Sequence, residues 1–151
     1  MSSLDVFDLV FVVTAVVFNL LIAGIFIADK KQRPTLIRTF GIAWLFLAIP
    51  LAIVFVHYLL AGRELWIIVC FGGIFLYMIV ELLLDYVLKI EFRKKLSLHV
   101  PYIVLEYLAL FGLIGISFSI DKTWGYVVSI SFWVLMASLI YLYSGGKKKT
   151  T

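Results

Sequence analysis

The stretch Gly73–Lys95, GIFLYMIVELLLDYVLKIEFRKK, decides how the chain is read. From Gly73 to Leu88 only Glu81 and Asp85 carry charge, and the first basic residue is Lys89. A run this apolar, closed by Arg93, Lys94 and Lys95, reads as a helix that crosses hydrocarbon and stops at a headgroup layer. Glu81 and Asp85 stand four residues apart, so a helix brings them to one face. Two acids on one face of such a helix need a physical reason.

The rest of the sequence supports hydrocarbon as the solvent. Of 151 residues, 64% are hydrophobic and 15% charged, and mean hydropathy is +1.14. Soluble domains run at roughly 45–50% apolar and about 25% charged. In water this chain would expose apolar patches far above the few hundred Å2 that monomers tolerate. A helix needs roughly 20 apolar residues to cross a bilayer. Five segments qualify, at about residues 6–28, 40–60, 65–88, 101–119 and 124–143. Backbone polar groups in lipid must bond within their own segment, which makes helices the economical solution. The expected fold is an all-α integral membrane protein, a bundle of five transmembrane helices forming one membrane domain over residues 1–151. The opening MSSLDVFD lacks the basic residues of a secretory leader and the apolar run continues unbroken to Ala28, so the first apolar segment is read as a span and not as a cleaved signal.

Charge placement predicts orientation. Lys30, Lys31, Arg33 and Arg38 lie between the first two spans, Lys89, Arg93, Lys94 and Lys95 between the third and fourth, and Lys147, Lys148 and Lys149 in the tail. Arg63 and Lys122 fall on the other side, an eleven-to-two division. Cytoplasmic loops collect Lys and Arg, so the N-terminus is expected outside and the C-terminus in the cytoplasm. The net charge of +4 is then a topology signal and an attraction to anionic lipid heads, and no nucleic-acid partner is expected. Pro50 falls inside the second span and predicts a kink. Pro101 is expected to open the fourth helix, and Pro34 to interrupt the first cytoplasmic loop. Trp44, Trp66, Trp124, Tyr58, Tyr141 and Tyr143 are expected near the interfaces. Small residues at Gly72, Gly73, Gly112 and Gly115 predict close approach of the third and fourth spans.

The polar residues of these two spans are the candidate site. Counting at 1.5 Å per residue, Glu81 lies roughly 10 Å and Glu106 roughly 7 Å inside the cytoplasmic boundary. Asp85 joins them, Asn19 of the first span is slightly deeper, and Tyr107 or Tyr102 can hydrogen-bond a carboxyl. An acid at mid-membrane costs about 2.5–3.5 kcal/mol on insertion scales. Burial and like charge both favour its protonated form. The structural account is compensation, with Lys89 one turn from Asp85. The functional account is a ligand- or proton-binding site built from Glu81, Asp85, Glu106, Asn19, Tyr107 and Lys89. No metal site or cofactor is expected. Cys70 is a lone thiol, His57 and His99 fall on opposite faces, and no phosphate loop, nucleophile elbow or paired-cysteine motif occurs.

The expected function is a small multi-pass protein that binds or transports a small ligand, an ion, a proton or a lipid through this pocket. The alternatives are a structural or accessory subunit whose acids pair with a partner and, less favoured, a lipid-modifying enzyme. Membrane lipids are the expected partners, with a homodimer or a partner membrane subunit as further possibilities. The expected location is the cell membrane. The ending KKTT resembles a dilysine retrieval signal and gives the endoplasmic reticulum membrane as the alternative.

Overall fold

Asp5 starts the first helix from an extended backbone, and its side chain accepts the Phe7 amide at 3.5 Å. In the computed structural model, which describes residues 5–87 and 96–144, the protein is all-helical, with no strand among the described residues. The helices are α1 (Val6–Lys30), α2 (Pro34–Phe46), α3 (Ala48–Leu60), α4 (Leu65–Glu81), α5 (Leu96–Ile120) and α6 (Lys122–Tyr143). A π-helical segment, Leu82–Val87, continues α4. Taking α2 and α3 as one bent unit, five helices are long and apolar enough to cross a membrane.

The helix ends differ from the hydropathy reading, for a physical reason. Hydropathy marks where the solvent changes, whereas helices end where backbone bonding ends. The second span was expected from residue 40, but α2 starts at Pro34, because Pro34 takes the first helical position, where its missing N–H costs nothing. The loop before it shrinks to residues 31–33, with Gln32 in the left-handed region at φ 54°. The fourth span was expected to open at Pro101. It begins at Leu96, and Pro101 lies inside α5, where it forgoes one backbone bond near the helix start. Pro50 acts as expected. It cannot donate to the Phe46 carbonyl, and the helix breaks at Leu47, between α2 and α3.

Helix α1 sits centrally, packing most extensively on α6, then α2, and also on α3 and α5. Phe11, Phe18, Phe71, Leu113 and Leu135 are completely buried in the core. The outward surface is apolar as well: Val69, Trp133 and Ile140 are 64%, 67% and 69% exposed. In lipid the hydrophobic effect would not hold such helices together; packing and interhelical hydrogen bonds would. Helices α4 and α5 are antiparallel, since Trp66 meets Gly115, Cys70 meets Gly112, and Tyr77 meets Glu106. A Cβ on Gly112 would come within 3.3 Å of the Cys70 Cβ, so close approach occurs there. Gly72 and Gly73 have open space beside them instead, contrary to the expected tight contact.

Candidate functional site

Helix α4 carries Tyr77 and Glu81 one turn apart, and α5 carries Tyr102 and Glu106 at the same spacing. Because the helices are antiparallel, each tyrosine faces the other helix's acid. Tyr77 Oη donates to Glu106 Oε1 at 3.3 Å, and Tyr102 Oη donates to Glu81 Oε2. The two phenol oxygens lie 3.4 Å apart between these bonds. Tyr77 and Tyr102 are buried, and the two carboxyls are half-buried. The result is one continuous line of four polar groups, Glu81–Tyr102–Tyr77–Glu106.

The line borders a cavity of about 40 Å3. Helix α1 lines it with Ile22, Ile25 and Phe26, and α2 with Gly41 and Trp44. One water needs roughly 10–15 Å3, so the space suits a few waters or one small polar group, not a drug-sized molecule. Trp44 is only 2% exposed, and its ring packs 5.1 Å from Phe18 and 5.4 Å from Tyr77, centroid to centroid. Its indole N–H is buried with no hydrogen-bond acceptor among the described residues. A buried donor left without an acceptor costs about 1–3 kcal/mol.

The sequence-derived candidates divide. Glu81 and Glu106 come together, joined through tyrosines rather than directly. Tyr102, named with Tyr107 as a hydrogen-bond partner, fills that role for Glu81. Tyr107 instead donates to Met136 Sδ at 3.7 Å. Asn19 is completely buried on α1, where its Nδ2 donates to Ser131 Oγ of α6 at 2.9 Å. Neither lines the cavity. Asp85 belongs to the π-helical segment, its side chain lies outside the described set, and Lys89 lies outside the described residues. No group of three or more metal-ligating side chains occurs among the described residues.

Trp44 and Tyr58, expected near the interfaces, are both buried within the bundle. Tyr58 belongs to a second polar centre at the opposite end of the bundle, where it and Arg63 both donate to Asp8 Oδ1, at 2.5 Å and 3.1 Å. Beside it, His57 Nε2 lies 3.0 Å from Asp5 Oδ2 and stacks on Phe7. A sequence signal for the cavity did exist. The segments YMIVE (77–81) and YIVLE (102–106) repeat a Tyr-x-x-x-Glu spacing, and antiparallel packing turns that repeat into reciprocal bonds.

Fold and site together define a class: a small bundle of five apolar helices around a carboxyl–phenol cavity. Comparison with known protein families, curated proteins and solved structures finds no match to this chain. Chemically, the residues lining the cavity include two carboxyls, two phenols and the Trp44 ring. Those groups can hold a proton, a small cation or a hydroxyl.

Proposed function

We propose that this is a multi-pass membrane protein that binds, or moves within the bilayer, a small cationic or hydroxyl-bearing ligand at the cavity between Glu81 and Glu106. A proton, a small ammonium ion or the polar end of a lipid would each fit that description. One observation carries the reading: two carboxyls bonded through buried tyrosines border a cavity that Trp44 also lines. Intramembrane acids that face a cavity mark ion, proton or substrate sites. Ammonium groups are held by aromatic faces and carboxylates in combination, and Trp44, Tyr77 and Tyr102 supply the faces. The eleven-to-two division of basic residues supports an orientation with the C-terminus and the cavity end toward the cytoplasm. A plain cell membrane is the location we favour.

The test is thermal unfolding of the purified protein in detergent, with ammonium, choline or sodium chloride varied at constant ionic strength. A ligand at roughly 100-fold over its Kd stabilises by about 2.7 kcal/mol. A cation-dependent or proton-dependent rise that disappears in both Glu81→Gln and Glu106→Gln supports the reading. Insensitivity of the native protein to all of these cations, and to pH across the neutral range, would refute it. A second reading, a dimer or a partnered subunit, draws on Gly72 and Gly73, whose open flank admits a close helix approach. Loss of a dimer or complex in Gly73→Leu, with the cavity chemistry unchanged, would favour it.

A further inference from the structure

We propose that the exposed cations of the α1–α2 turn, Lys31, Arg33 and Arg38, hold the phosphate of an anionic phospholipid whose acyl chains lie along the outer flank of α2. The proposal rests on the membrane reading above and not on the cavity. Charge is divided unevenly between the two ends of the bundle. At the end that carries Arg63 and Lys122 stand four acids, Asp5, Asp8, Glu64 and Asp121, and Arg63 is paired with Asp8 at 3.1 Å. Within residues 29–38, by contrast, Asp29 is the one acid beside Lys30, Lys31, Arg33 and Arg38. Lys30 is engaged elsewhere. Its Nζ donates to the Ser144 carbonyl just past α6 and lies 5.3 Å from the centre of the Tyr141 ring. Lys31, Arg33 and Arg38 are exposed and make no ion pair among the described residues. Like charges this close in sequence repel, and an anion placed among them turns that repulsion into attraction.

Helix length puts these cations at the height of lipid phosphates. The bent unit Pro34–Leu60 spans 27 residues, about 40 Å at 1.5 Å per residue. Hydrocarbon takes up only about 30 Å of that, or about 20 residues. Residues 41–60 contain no Asp, Glu, Lys or Arg and fill that depth. The surplus, residues 34–40, contains Arg38 and follows directly on Arg33, the N-cap of α2. The first two turns of α2 therefore stand in a headgroup layer, and on the orientation proposed above it is the cytoplasmic one. Arginine suits that place, because its planar fork matches phosphate oxygens two at a time.

The flank below the cations selects a lipid over a free phosphate. Steps of four along α2 lead from Arg38 to Ile42 and Phe46, so the three share one face. Ile42 is 40% and Phe46 63% exposed. A guanidinium at headgroup height thus stands above an exposed apolar stripe. Phosphate over acyl chain is the same order of polarity, read from the membrane surface inward.

The test is native mass spectrometry of the full chain in detergent, titrated with phosphatidylglycerol or with phosphatidylcholine of the same acyl chains. Phosphatidylglycerol should bind the native protein more tightly. Arg33→Gln and Arg38→Gln should each weaken it about fivefold, the worth of one basic residue at a membrane surface, and leave phosphatidylcholine unchanged. Lys122→Gln, at the opposite end, should change neither. Inorganic phosphate in excess, at constant ionic strength, should not displace the lipid. Phenylglyoxal labelling of the native chain needs no variant to fold: phosphatidylglycerol should slow the reaction at Arg33 and Arg38 and not at Arg63. Equal affinity for the two lipids overturns the proposal. So does an equal loss in Lys122→Gln, displacement by inorganic phosphate, or labelling of Arg33 and Arg38 that ignores the lipid. The cavity reading is tested separately, since Glu81→Gln and Glu106→Gln should leave the lipid preference intact. A failed lipid preference, in turn, leaves any cation-dependent stabilisation standing.

Discussion

The polar centre at the other end of the bundle gives the most quantitative prediction. Asp8 is buried, Tyr58 is completely buried, and one carboxylate oxygen of Asp8 accepts both Tyr58 Oη and Arg63 Nη2. The Arg63 guanidinium also lies 4.5 Å from the Tyr58 ring centre. Tyr58→Phe keeps the ring and removes one bond to a charged acceptor, at a cost of about 1.5–3 kcal/mol. Arg63→Met removes the ionic partner. Breaking a fully buried pair costs about 3–5 kcal/mol, but the Arg63 side chain is 31% exposed. Water already screens part of that charge, so about 2–3 kcal/mol is expected. The two donors share one oxygen, so their losses should not add. Once Arg63 is gone, Tyr58 is the donor left in this cluster, and removing it too strands the carboxylate. The double variant should lose at least about 1 kcal/mol beyond the sum of the singles. Asp8→Asn should collapse that coupling, because bonds to a neutral acceptor are roughly half as strong. The assay is reversible unfolding in mixed micelles by dodecyl sulfate titration, followed by circular dichroism. Additivity to within about 0.5 kcal/mol, or singles indistinguishable from the native protein, would refute the shared-acceptor account.

Three further outcomes are expected from the same assay. Gly125→Ala places a Cβ 2.3 Å from the Cγ and Cδ1 atoms of Phe118, so the ring must move, at about 1–3 kcal/mol; Phe118→Ala in the same chain should restore most of the loss. Trp44→Phe removes a buried N–H that has no acceptor among the described residues. It should change stability by under about 1 kcal/mol, and a loss above about 3 kcal/mol would mean that the indole N–H is strongly bonded. Ser131→Ala removes the acceptor of Asn19 and should cost about 0.6–1.7 kcal/mol; a much larger loss would mean that Asn19 does more than tie α1 to α6.

What the sequence revealed follows from what is local. A run of some 20 apolar residues announces a helix of membrane-spanning length because the bilayer fixes that length, and five helices long and apolar enough to cross a membrane are present. The break at Leu47 was legible because Pro50 removes its own backbone bond. Glu81 and Glu106 could be paired because adjacency of two linked helices and depth along each are simple functions of residue number. Azimuth is not. In water an amphipathic stripe shows which face points inward, but in lipid both faces are apolar. Nothing in the sequence therefore said that Trp44 turns into the bundle, that Asn19 turns toward α6, or that Tyr107 turns toward Met136. The Asp8–Tyr58–Arg63 cluster was equally hidden, since it depends on α1 lying beside α3.

The two polar centres use the same chemistry to different ends, and the contrast argues for function at one of them. At Asp8, a phenol and a guanidinium converge on one carboxylate oxygen, and ion pair and hydrogen bond together tie α1 to the end of α3. Such a cluster fixes geometry. At Glu81 and Glu106 the acids are spread along a line, the tyrosines link them end to end, and the line borders open space. A purely structural role would be served as well by apolar side chains of similar size, which often stabilise more than buried polar groups do. On the proposed reading, two acids and two phenols around one cavity act on a proton or a small ligand that enters it.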